Sequence, residues 1–507
     1  MTIPHRILLL DYVGELFSTN EIAENSQLVL PVGLMYLSSY LKSKLDNLEV
    51  RLIKTYVDYT SDDELMDIVR DFAPSILGIR CLSIDVEKLM ASAERLHREF
   101  KTNENVIVLG GPVTNAETPR VFNSGLFDYV VVNEGERSFY EIVDAHLHGR
   151  PVDRSVVGIV HQLDSYQGDL VENLDELPFP DYGLIDFSKY DNFLNYGYNR
   201  ARQAVLVTSR GCPYRCTYCH NIMGRKARLR SVENVFEEIQ WLYHTYNIRD
   251  FFIVDDIFNI DYARSMAIFD RLIASKLDLS LYFPNGVRGD ILDKPYIDRM
   301  VEAGTKYVSF AIESASPRLQ RLMRKHVDLE GLKEIIHYTC EKDIMVNGFF
   351  MFGIPTETEE EAMSTLEYAE ELDKLHFPFV FFARYYEGSE MYRQAIEHGF
   401  TQQMILNSVN QLYHDINDYY TPTLSNEFIR YVKNYFLYRI FFNKRRIEHM
   451  LRVEQRYHST EQTLDIIQSM YNLQMGSISE FTQYVDAIAE SSMSRRYAVR
   501  RDSGLLV

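Results

Sequence analysis

Short apolar runs alternate with amphipathic segments through the first 150 residues. The apolar runs fall at residues 6–10, 50–54, 75–79, 106–109 and 128–132. Segments with apolar residues at helical spacing lie between them, at residues 32–44, 62–72, 86–100 and 138–148. Strands that alternate with helices predict a doubly wound α/β domain with a parallel sheet. Such sheets bind ligands at the carboxyl ends of their strands.

The alternation of strands and helices resumes at residue 204. Strands are predicted at 204–208, 250–254, 280–285, 307–312, 345–351 and 379–383, with helices at 232–246, 262–275, 294–303, 329–342 and 359–375. Six βα units in series predict a partial TIM barrel, whose chemistry belongs at the carboxyl ends of its strands.

The segment between the two α/β regions has a different pattern. A strand is predicted at 156–161, and a proline-containing passage, Leu177-Pro-Phe-Pro-Asp181, follows it. Beyond residue 400 the pattern is helical and rich in aromatic residues. We therefore predict four parts: a doubly wound domain at 1–149, a linker at 150–199, a barrel at 200–400 and a helical domain at 401–507.

Charge and hydropathy exclude several classes of protein. The chain has 53 basic and 73 acidic residues, a net charge of −20, which argues against a nucleic-acid partner. Its N-terminal apolar stretch is too short for a signal peptide, and no apolar run is long enough for a transmembrane segment. Residues 431–446 combine aromatic residues with a basic end, which suits a core-packing helix or contact with a membrane surface.

The chain has five cysteines, and three of them lie in one short loop as Cys212, Cys216 and Cys219. Three thiolates at this spacing can bind three irons of a [4Fe–4S] cluster and leave the fourth iron open to another ligand. A disulfide with a spare thiol, or a zinc site that includes His220, is the alternative. Cys81 and Cys340 stand alone in apolar surroundings and are expected to be buried. So few cysteines fit a reducing, cytoplasmic location.

The loop Cys212-x-x-x-Cys216-x-x-Cys219, with Tyr218 before the last cysteine, resembles the signature of the radical S-adenosylmethionine (SAM) enzymes. The resemblance implies that SAM binds the open iron and is cleaved to a 5′-deoxyadenosyl radical. Segments at the other strand ends resemble the family's SAM-binding motifs, with alanine at 311 and threonine at 356 where the family often has glycine. The SAM contacts that the resemblance implies are Tyr218, Asp255, Arg288, Glu313, Ser314 and Gly353; for Arg288 the substrate is an alternative ligand.

The first 145 residues resemble the cobalamin-binding domain that precedes many radical SAM cores. The matching segments are Pro31-Val-Gly-Leu-Met-Tyr-Leu37, Ile76-Leu-Gly-Ile79, Leu109-Gly-Gly-Pro112 and Val132-Asn-Glu-Gly-Glu136. The cobalamin contacts that the resemblance implies are Ser83, Gly110, Gly111, Pro112, Thr114, Glu134 and Gly135. The first strand leads into Asp11-Tyr-Val-Gly-Glu15, which lacks the cobalt-ligating histidine of the mutases.

Together the resemblances imply an enzyme with a [4Fe–4S] cluster, SAM and cobalamin as cofactors. It would methylate an unactivated carbon of a small-molecule or natural-product substrate and take electrons from a reductant such as flavodoxin or ferredoxin. A cyclisation or rearrangement without methyl transfer is the second reading, and a non-catalytic iron–sulfur protein is the third. No residue can be assigned as a catalytic acid, base or nucleophile from the sequence.

Overall fold

The computed structural model describes residues 4–13, 29–190, 202–219, 222–410, 418–471 and 473–491. Two parallel sheets organise these residues, one in the N-terminal region and one in the centre of the chain. His220, most of the turn after the first strand and the end of the predicted linker lie outside the described residues.

The N-terminal sheet has five parallel strands in the order β2-β1-β3-β4-β5. Its strands are β1 (His5–Tyr12), β2 (Leu48–Lys54), β3 (Ile76–Cys81), β4 (Val106–Gly110) and β5 (Tyr129–Val130). The helices around it are α1 (Val32–Lys42), α2 (Asp62–Phe72), α3 (Val86–Phe100), α4 (Pro112–Ala116), α5 (Thr118–Asn123) and α6 (Glu136–Leu147). Because the strand order reverses beside β1, the carboxyl ends of β1 and β3 flank the switch point where such folds bind ligands.

The central sheet has six parallel strands in the order β13-β12-β11-β10-β9-β6, which confirms the predicted partial barrel. Its strands are β6 (Gln203–Leu206), β9 (Asp250–Ile253), β10 (Ser280–Val287), β11 (Thr305–Glu313), β12 (Met345–Phe352) and β13 (Phe377–Phe382). The short strands β7 (Ser209–Arg210) and β8 (Arg228–Leu229) form an antiparallel pair beside it. The helices are α7 (Val232–Thr245), α8 (Tyr262–Ser275), α9 (Lys294–Glu302), α10 (Pro317–Leu322), α11 (Leu329–Cys340), α12 (Glu359–Glu371) and α13 (Glu390–Glu397).

The C-terminal region is helical, as predicted. It contains α14 (Gln402–Asn410), α15 (Asn426–Tyr435), a π-helical segment (Phe436–Phe441), α16 (Lys444–Tyr457), α17 (Thr460–Tyr471) and α18 (Ile478–Glu490). Phe442, Met450 and Phe481 from this region share a buried cluster with Tyr307 and Met345 of the central sheet. The aromatic segment 431–446 therefore contributes to the core. Among the described residues, no helix has both the length and the apolar content that crossing a bilayer requires.

The predicted strand at 156–161 does not form. Instead, Ile159 makes an isolated antiparallel bridge with Val131, and Gly158 adopts a positive φ of 96°. This left-handed residue interrupts the extended backbone that a strand needs. The segment still covers the edge of the N-terminal sheet, because the Val160 amide donates to the Val130 carbonyl at 2.9 Å. Ile159 and Val160 are buried but Val157 is exposed, so the apolar run predicted burial in part and strand structure wrongly.

Candidate functional site

The three-cysteine loop connects β7 to β8 beyond the carboxyl end of β6. Hydrogen bonds fix it at several points: the Cys212 amide donates to the Gly224 carbonyl at 3.1 Å, and the Thr217 amide donates to the Met323 carbonyl at 3.0 Å. Gly211 precedes the first cysteine with a φ of 87°, and a side chain there would collide with the carbonyl oxygen of Lys226. The loop has a defined path that requires glycine at this position.

All three loop cysteines carry free thiols, with Cys212 and Cys216 partly buried and Cys219 exposed. Burial and the neighbouring Cys216, Asp256 and Cys212 raise the pKa of Cys219 to about 11. The three thiols therefore share one loop, and each is available as a ligand. A cation cluster would remove the repulsion between thiolates, so the donor set fits a [4Fe–4S] cluster with three cysteine ligands.

Asp255 and Asp256 follow β9 and point at different partners. The buried Asp255 carboxylate accepts the Thr208 amide, the Thr208 hydroxyl and the Ser209 hydroxyl, each at 2.6 Å. The exposed Asp256 accepts the Gly211 amide at 3.1 Å. Asp255, which the family motif implied as a SAM contact, thus uses its carboxylate to hold the segment that leads into the cysteine loop.

Glu313 and Tyr218, two of the implied SAM contacts, meet beside the cysteine loop. The Tyr218 hydroxyl donates to Glu313 Oε1 at 3.2 Å. Lys325 joins them, because its ammonium lies 2.9 Å from Glu313 Oε1 and 3.1 Å from the Tyr218 hydroxyl. Burial, the Glu313 charge and the Cys216 and Cys219 thiols together raise the pKa of Tyr218 far above its ordinary value, so this phenol stays protonated.

Several residues around this group hold a left-handed backbone without being glycine. Glu313 has a φ of 66°, and Arg324 and His326, on either side of Lys325, have φ values of 55° and 53°. Each such conformation costs about 1–3 kcal/mol and persists only where the surroundings enforce it. Thr356, which replaces a glycine of the family motif, also has a φ of 67° and is held by Arg318 at 2.7–2.9 Å.

Arg288 lies next to this group, but its guanidinium is already engaged. It donates to both carboxylate oxygens of Asp290 at 2.9 and 3.1 Å and to the carbonyls of Lys325 and His326 at 3.0 and 3.2 Å. It also lies 4.0 Å from the centroid of the Tyr214 ring, in the cysteine loop. Arg288 therefore connects the cysteine loop to the segment that carries Lys325.

Ser314, the other implied contact on β11, lies buried against α12. Its hydroxyl is 3.2 Å from the Thr365 hydroxyl and accepts the Ser316 amide at 3.2 Å. These contacts direct the side chain toward the helix layer rather than toward Tyr218. The Ser314 carbonyl also accepts from Gln320 Nε2 at 2.6 Å, so the SAM contact that the motif implied for Ser314 stays a prediction.

Gly353 follows β12 in a tightly packed turn. Its φ is 81°, and a side chain at this position would collide with the hydroxyl of Tyr419. The Tyr385 hydroxyl donates to its carbonyl, and its amide donates to the buried carboxyl group of Glu357. Burial, opposed in part by the amides of Gly353 and Ile354, raises the pKa of Glu357 to about 8. This turn cannot take a larger residue at 353.

The paired glycines after β4 differ in the space around them. A side chain at Gly110 would meet only the Val131 carbonyl, at 3.9 Å, so the sheet edge is open there. Gly111 has a φ of 88°, and a side chain would meet Arg80 Cγ at 2.9 Å and the Cys81 backbone at 3.1 Å. An open, glycine-lined edge at the carboxyl ends of parallel strands fits a large planar ligand such as cobalamin.

The other implied cobalamin contacts divide into two groups. Ser83, Pro112 and Thr114 lie at the same sheet edge: the Ser83 hydroxyl donates to the Pro112 carbonyl at 3.3 Å, and the Thr114 hydroxyl donates to the Val131 carbonyl at 2.6 Å. Gly135 instead begins α6 and packs on Leu37, which an added side chain would meet at 3.3 Å.

Glu134 lies in a buried bridge between the two sheets. Its carboxylate accepts the Val171 amide at 2.7 Å and Arg228 Nη1 at 2.9 Å. Arg210, one residue before the turn into the cysteine loop, lies 3.2 Å from Glu134 and 2.8 Å from Glu136. These four side chains, Glu134, Glu136, Arg210 and Arg228, form what we call the interdomain bridge. The carboxylate that the motif implied as a cobalamin contact thus joins the N-terminal sheet to the cysteine loop.

Sequence reasoning missed Lys325, Glu357 and both arginines of the interdomain bridge. Lys325 follows a short helix rather than a strand, so the strand-end rule does not select it. Arg210 and Arg228 stand among several basic residues of the loop, and the sequence gives no sign that these two are buried.

Two family models match the chain. The model described as the radical SAM superfamily matches residues 206–369, and the model described as the B12 binding domain matches residues 22–143. The first match begins just before the cysteine loop and ends within α12. The second contains the sheet edge with Gly110 and Gly111.

Curated relatives match along most of the chain. An uncharacterized methyltransferase of Pyrococcus horikoshii is 29% identical over 83% of this chain and 94% of its own length. The cytidylyl-2-hydroxyethylphosphonate methyltransferase of Streptomyces wedmorensis is 28% identical over 67% of this chain and 70% of its own. An anaerobic magnesium-protoporphyrin IX monomethyl ester cyclase of Rubrivivax gelatinosus is 27% identical over 67% of this chain and 61% of its own.

Solved structures share the fold over nearly the whole chain. The cobalamin-dependent SAM radical enzyme OxsB aligns with a TM-score of 0.65 at 15% identity, covering 98% of this chain and 84% of that one. The radical SAM methyltransferase TsrM of Kitasatospora setae aligns with a TM-score of 0.64 at 14% identity, covering 99% and 100%.

The two family models thus identify the domain to which each of the two sheets belongs. The central sheet with its three-cysteine loop is a radical SAM domain, whose family uses a [4Fe–4S] cluster and SAM. The N-terminal sheet with its open glycine edge is a B12-binding domain. The chain belongs to the radical SAM enzymes that carry a cobalamin-binding domain.

Proposed function

We propose that this enzyme methylates an unactivated carbon of a small-molecule substrate. The observation that carries the proposal is the interdomain bridge. It ties Glu134 and Glu136, beside the cobalamin edge, to Arg210, beside the cysteine loop. A methyl carrier at one edge and a radical source at the other would then face the same space, which carbon methylation by this route requires.

The cofactors would supply the difficult chemistry: one electron through the cluster to break a carbon–sulfur bond of SAM, and a methyl group carried on cobalamin. The protein's own residues do the rest. Asp255 holds the segment that leads into the cysteine loop, Arg288 lies over the Tyr214 ring within the loop, and the interdomain bridge ties the loop to the cobalamin edge.

The names of two relatives support the proposal of methyl transfer. Two of the proteins that align over at least two thirds of both chains carry the name methyltransferase, and one of them acts on a cytidylyl phosphonate according to its name. We infer that the substrate here is a small molecule as well, and that a small electron-transfer protein such as flavodoxin or ferredoxin supplies the electron.

Cyclisation without methyl transfer is the second candidate. The relative from Rubrivivax gelatinosus is named as a cyclase and is almost as similar to this chain as the methyltransferases are. Cyclisation would use the same radical and the same cysteine loop, so the two candidates differ only in the fate of the methyl group of SAM.

The deciding experiment follows that methyl group. The reconstituted enzyme, with cobalamin and a chemical reductant, is incubated anaerobically with candidate substrates and methyl-labelled SAM. Methylation predicts label in the product together with 5′-deoxyadenosine and S-adenosylhomocysteine. Label that stays in methionine while 5′-deoxyadenosine forms and the substrate changes would favour the cyclase. Replacing Cys212, Cys216 and Cys219 by alanine should abolish both outcomes.

A further inference from the structure

Three half-buried phenylalanines lie together on one face of the central sheet. Phe349 of β12 pairs in register with Ala311 of β11 and with Phe379 of β13, so these side chains share a face. The ring centroids of Phe349 and Phe379 are 5.8 Å apart, and Phe381 lies 5.7 Å from Phe349. Each of the three rings keeps part of its surface exposed. We call these three phenylalanines the aromatic floor.

The aromatic floor belongs to the inner face of the barrel. Phe350, the neighbour of Phe349 in the strand, points the other way and is fully buried in the cluster that contains the outer helices. Phe377, two residues before Phe379, packs on Tyr471 of α17 with the ring centroids 6.4 Å apart. The C-terminal helices thus fill the inside of the barrel up to the layer of Phe377, and the aromatic floor, one layer above, stays partly exposed.

The layer beneath the floor is closed. Ser309 and Asn347 are fully buried there. The Asn347 side-chain oxygen accepts the Phe377 amide at 3.2 Å, and the Ser309 hydroxyl donates to the Tyr307 hydroxyl at 3.1 Å. Because these polar groups find their partners within the protein, a ligand on the floor meets the apolar faces of the phenylalanine rings.

The floor ends beside the cysteine loop. Phe381 pairs in register with Met351, and Met351 belongs to a buried cluster on which Tyr218 packs. The two opposite charges at this end, Glu313 and Lys325, face each other at 2.9 Å. A ligand on the floor would therefore lie next to residues that the family resemblance assigns to SAM.

We propose that the substrate places a neutral aromatic ring system on the aromatic floor, stacked on Phe349 and Phe379. The proposal rests on the proposed function and deepens it, because it names the class of substrate for that reaction. Aromatic rings favour offset or edge-to-face contact with other rings, and these contacts add to the gain from burying apolar surface. A charged group on the floor would lose its hydration without gaining a partner, so the part of the substrate that binds there carries no charge.

The test uses naphthalene-2-methanol as the probe, with its saturated decahydro analogue and 2-naphthoate for comparison. Binding of each to the reconstituted, unreduced enzyme with cobalamin and SAM is measured by equilibrium dialysis for wild type, Phe349→Leu and Phe379→Leu. Leucine keeps an apolar side chain and removes the flat ring. Each substitution should weaken naphthalene-2-methanol by about threefold to tenfold and the decahydro analogue far less. Wild type should bind 2-naphthoate more weakly than naphthalene-2-methanol.

Phe100→Leu, at a half-buried phenylalanine that ends α3 in the N-terminal domain, is the matched control and should change none of these affinities. Iron and cobalt contents identify the variants that hold both cofactors, and either leucine variant that does so is sufficient for the comparison. The proposal is overturned if wild type shows no saturable binding of naphthalene-2-methanol, or if the leucine variants keep the wild-type ratio of its affinity to that of the decahydro analogue.

SAM binding without the probe is measured in the same variants. An equal loss of SAM affinity would overturn the proposal, because the floor would then hold the adenine of SAM. Dialysis requires no turnover, so it tests the floor independently of the labelled methyl group. If the probe binds as expected while no candidate substrate gains the label, the proposed function fails and the assignment of the floor stands.

Discussion

Glu357 is a carboxyl group that the fold keeps out of water beside the turn at Gly353. Two backbone amides donate to one of its oxygens, and burial still raises its pKa to about 8. A carboxyl group whose pKa is higher in the folded than in the unfolded protein stabilises the fold fully below its unfolded value of 4.5. That stabilisation is lost as the pH rises toward about 8, at up to about 1.4 kcal/mol per pH unit.

We therefore expect Glu357→Gln to be more stable than wild type at pH 8.5 and to have similar stability at pH 5. Glutamine keeps an oxygen for the two amides and has no charge to bury. Denaturant unfolding at several pH values measures the difference. Glu360→Gln, at an exposed position in the first turn of α12, is the control. If the free energies of unfolding of Glu357→Gln and wild type differ by the same amount at every pH in this range, Glu357 does not have a raised pKa in the folded protein.

The alternation of strands and helices was predictable from the sequence because apolar runs and helical spacing mark buried faces in both sheets. The two α/β regions followed from that pattern, and the order of the strands came from the structure. The strand prediction for residues 156–161 was wrong because apolar residues can be buried without a strand backbone. Gly158 turns the chain where a strand would continue.

For the candidate site, the sequence predicted where several residues lie in the fold but not which partners their side chains contact. Strand ends selected Gly110, Glu313 and Gly353, and the structure places all three at carboxyl ends. The strand-end rule did not reveal the direction of each side chain. Asp255 and Ser314 therefore point into hydrogen bonds within the protein, and Lys325 was missed because it follows α10.

The edge after β4 offers a test of the cobalamin assignment. A methyl group at Gly110 would project into open space, whereas one at Gly111 would meet Arg80 and the Cys81 backbone. Gly110→Ala should thus fold normally but weaken cobalamin binding by about tenfold or more through steric overlap. Cobalamin titration monitored by absorbance measures this effect.

Gly476→Ala, in the C-terminal region, is the matched control and should bind cobalamin as wild type does. Cobalamin affinity that is unaffected by Gly110→Ala would mean that the ligand lies elsewhere. A loss of folded protein in Gly110→Ala would contradict the open space that the structure shows at this edge.

At the scale of the whole molecule, the interdomain bridge adds buried ion pairs to the apolar cluster that the two sheets share. Glu134 and Arg228 have side chains that are 1% and 2% exposed, so their charges depend on each other. Removing one member of a buried ion pair leaves the other charge without compensation, at a cost of about 3–5 kcal/mol.

Glu134→Gln should therefore lower the stability of the protein by about 3 kcal/mol or more and separate the unfolding of the two domains into two calorimetric transitions. Glu172→Gln is the control, because the nearby Lys226–Glu172 pair is exposed and such pairs contribute little to stability. Equal effects of the two substitutions would show that the bridge does not hold the domains together.

The most direct test of the account is the metal content of the anaerobically purified and reconstituted enzyme. The account predicts about four irons and one cobalt per chain, with iron lost and cobalt retained when the three loop cysteines are replaced by alanine. Zinc in place of iron, or a protein that holds iron but takes up no cobalamin, would contradict it.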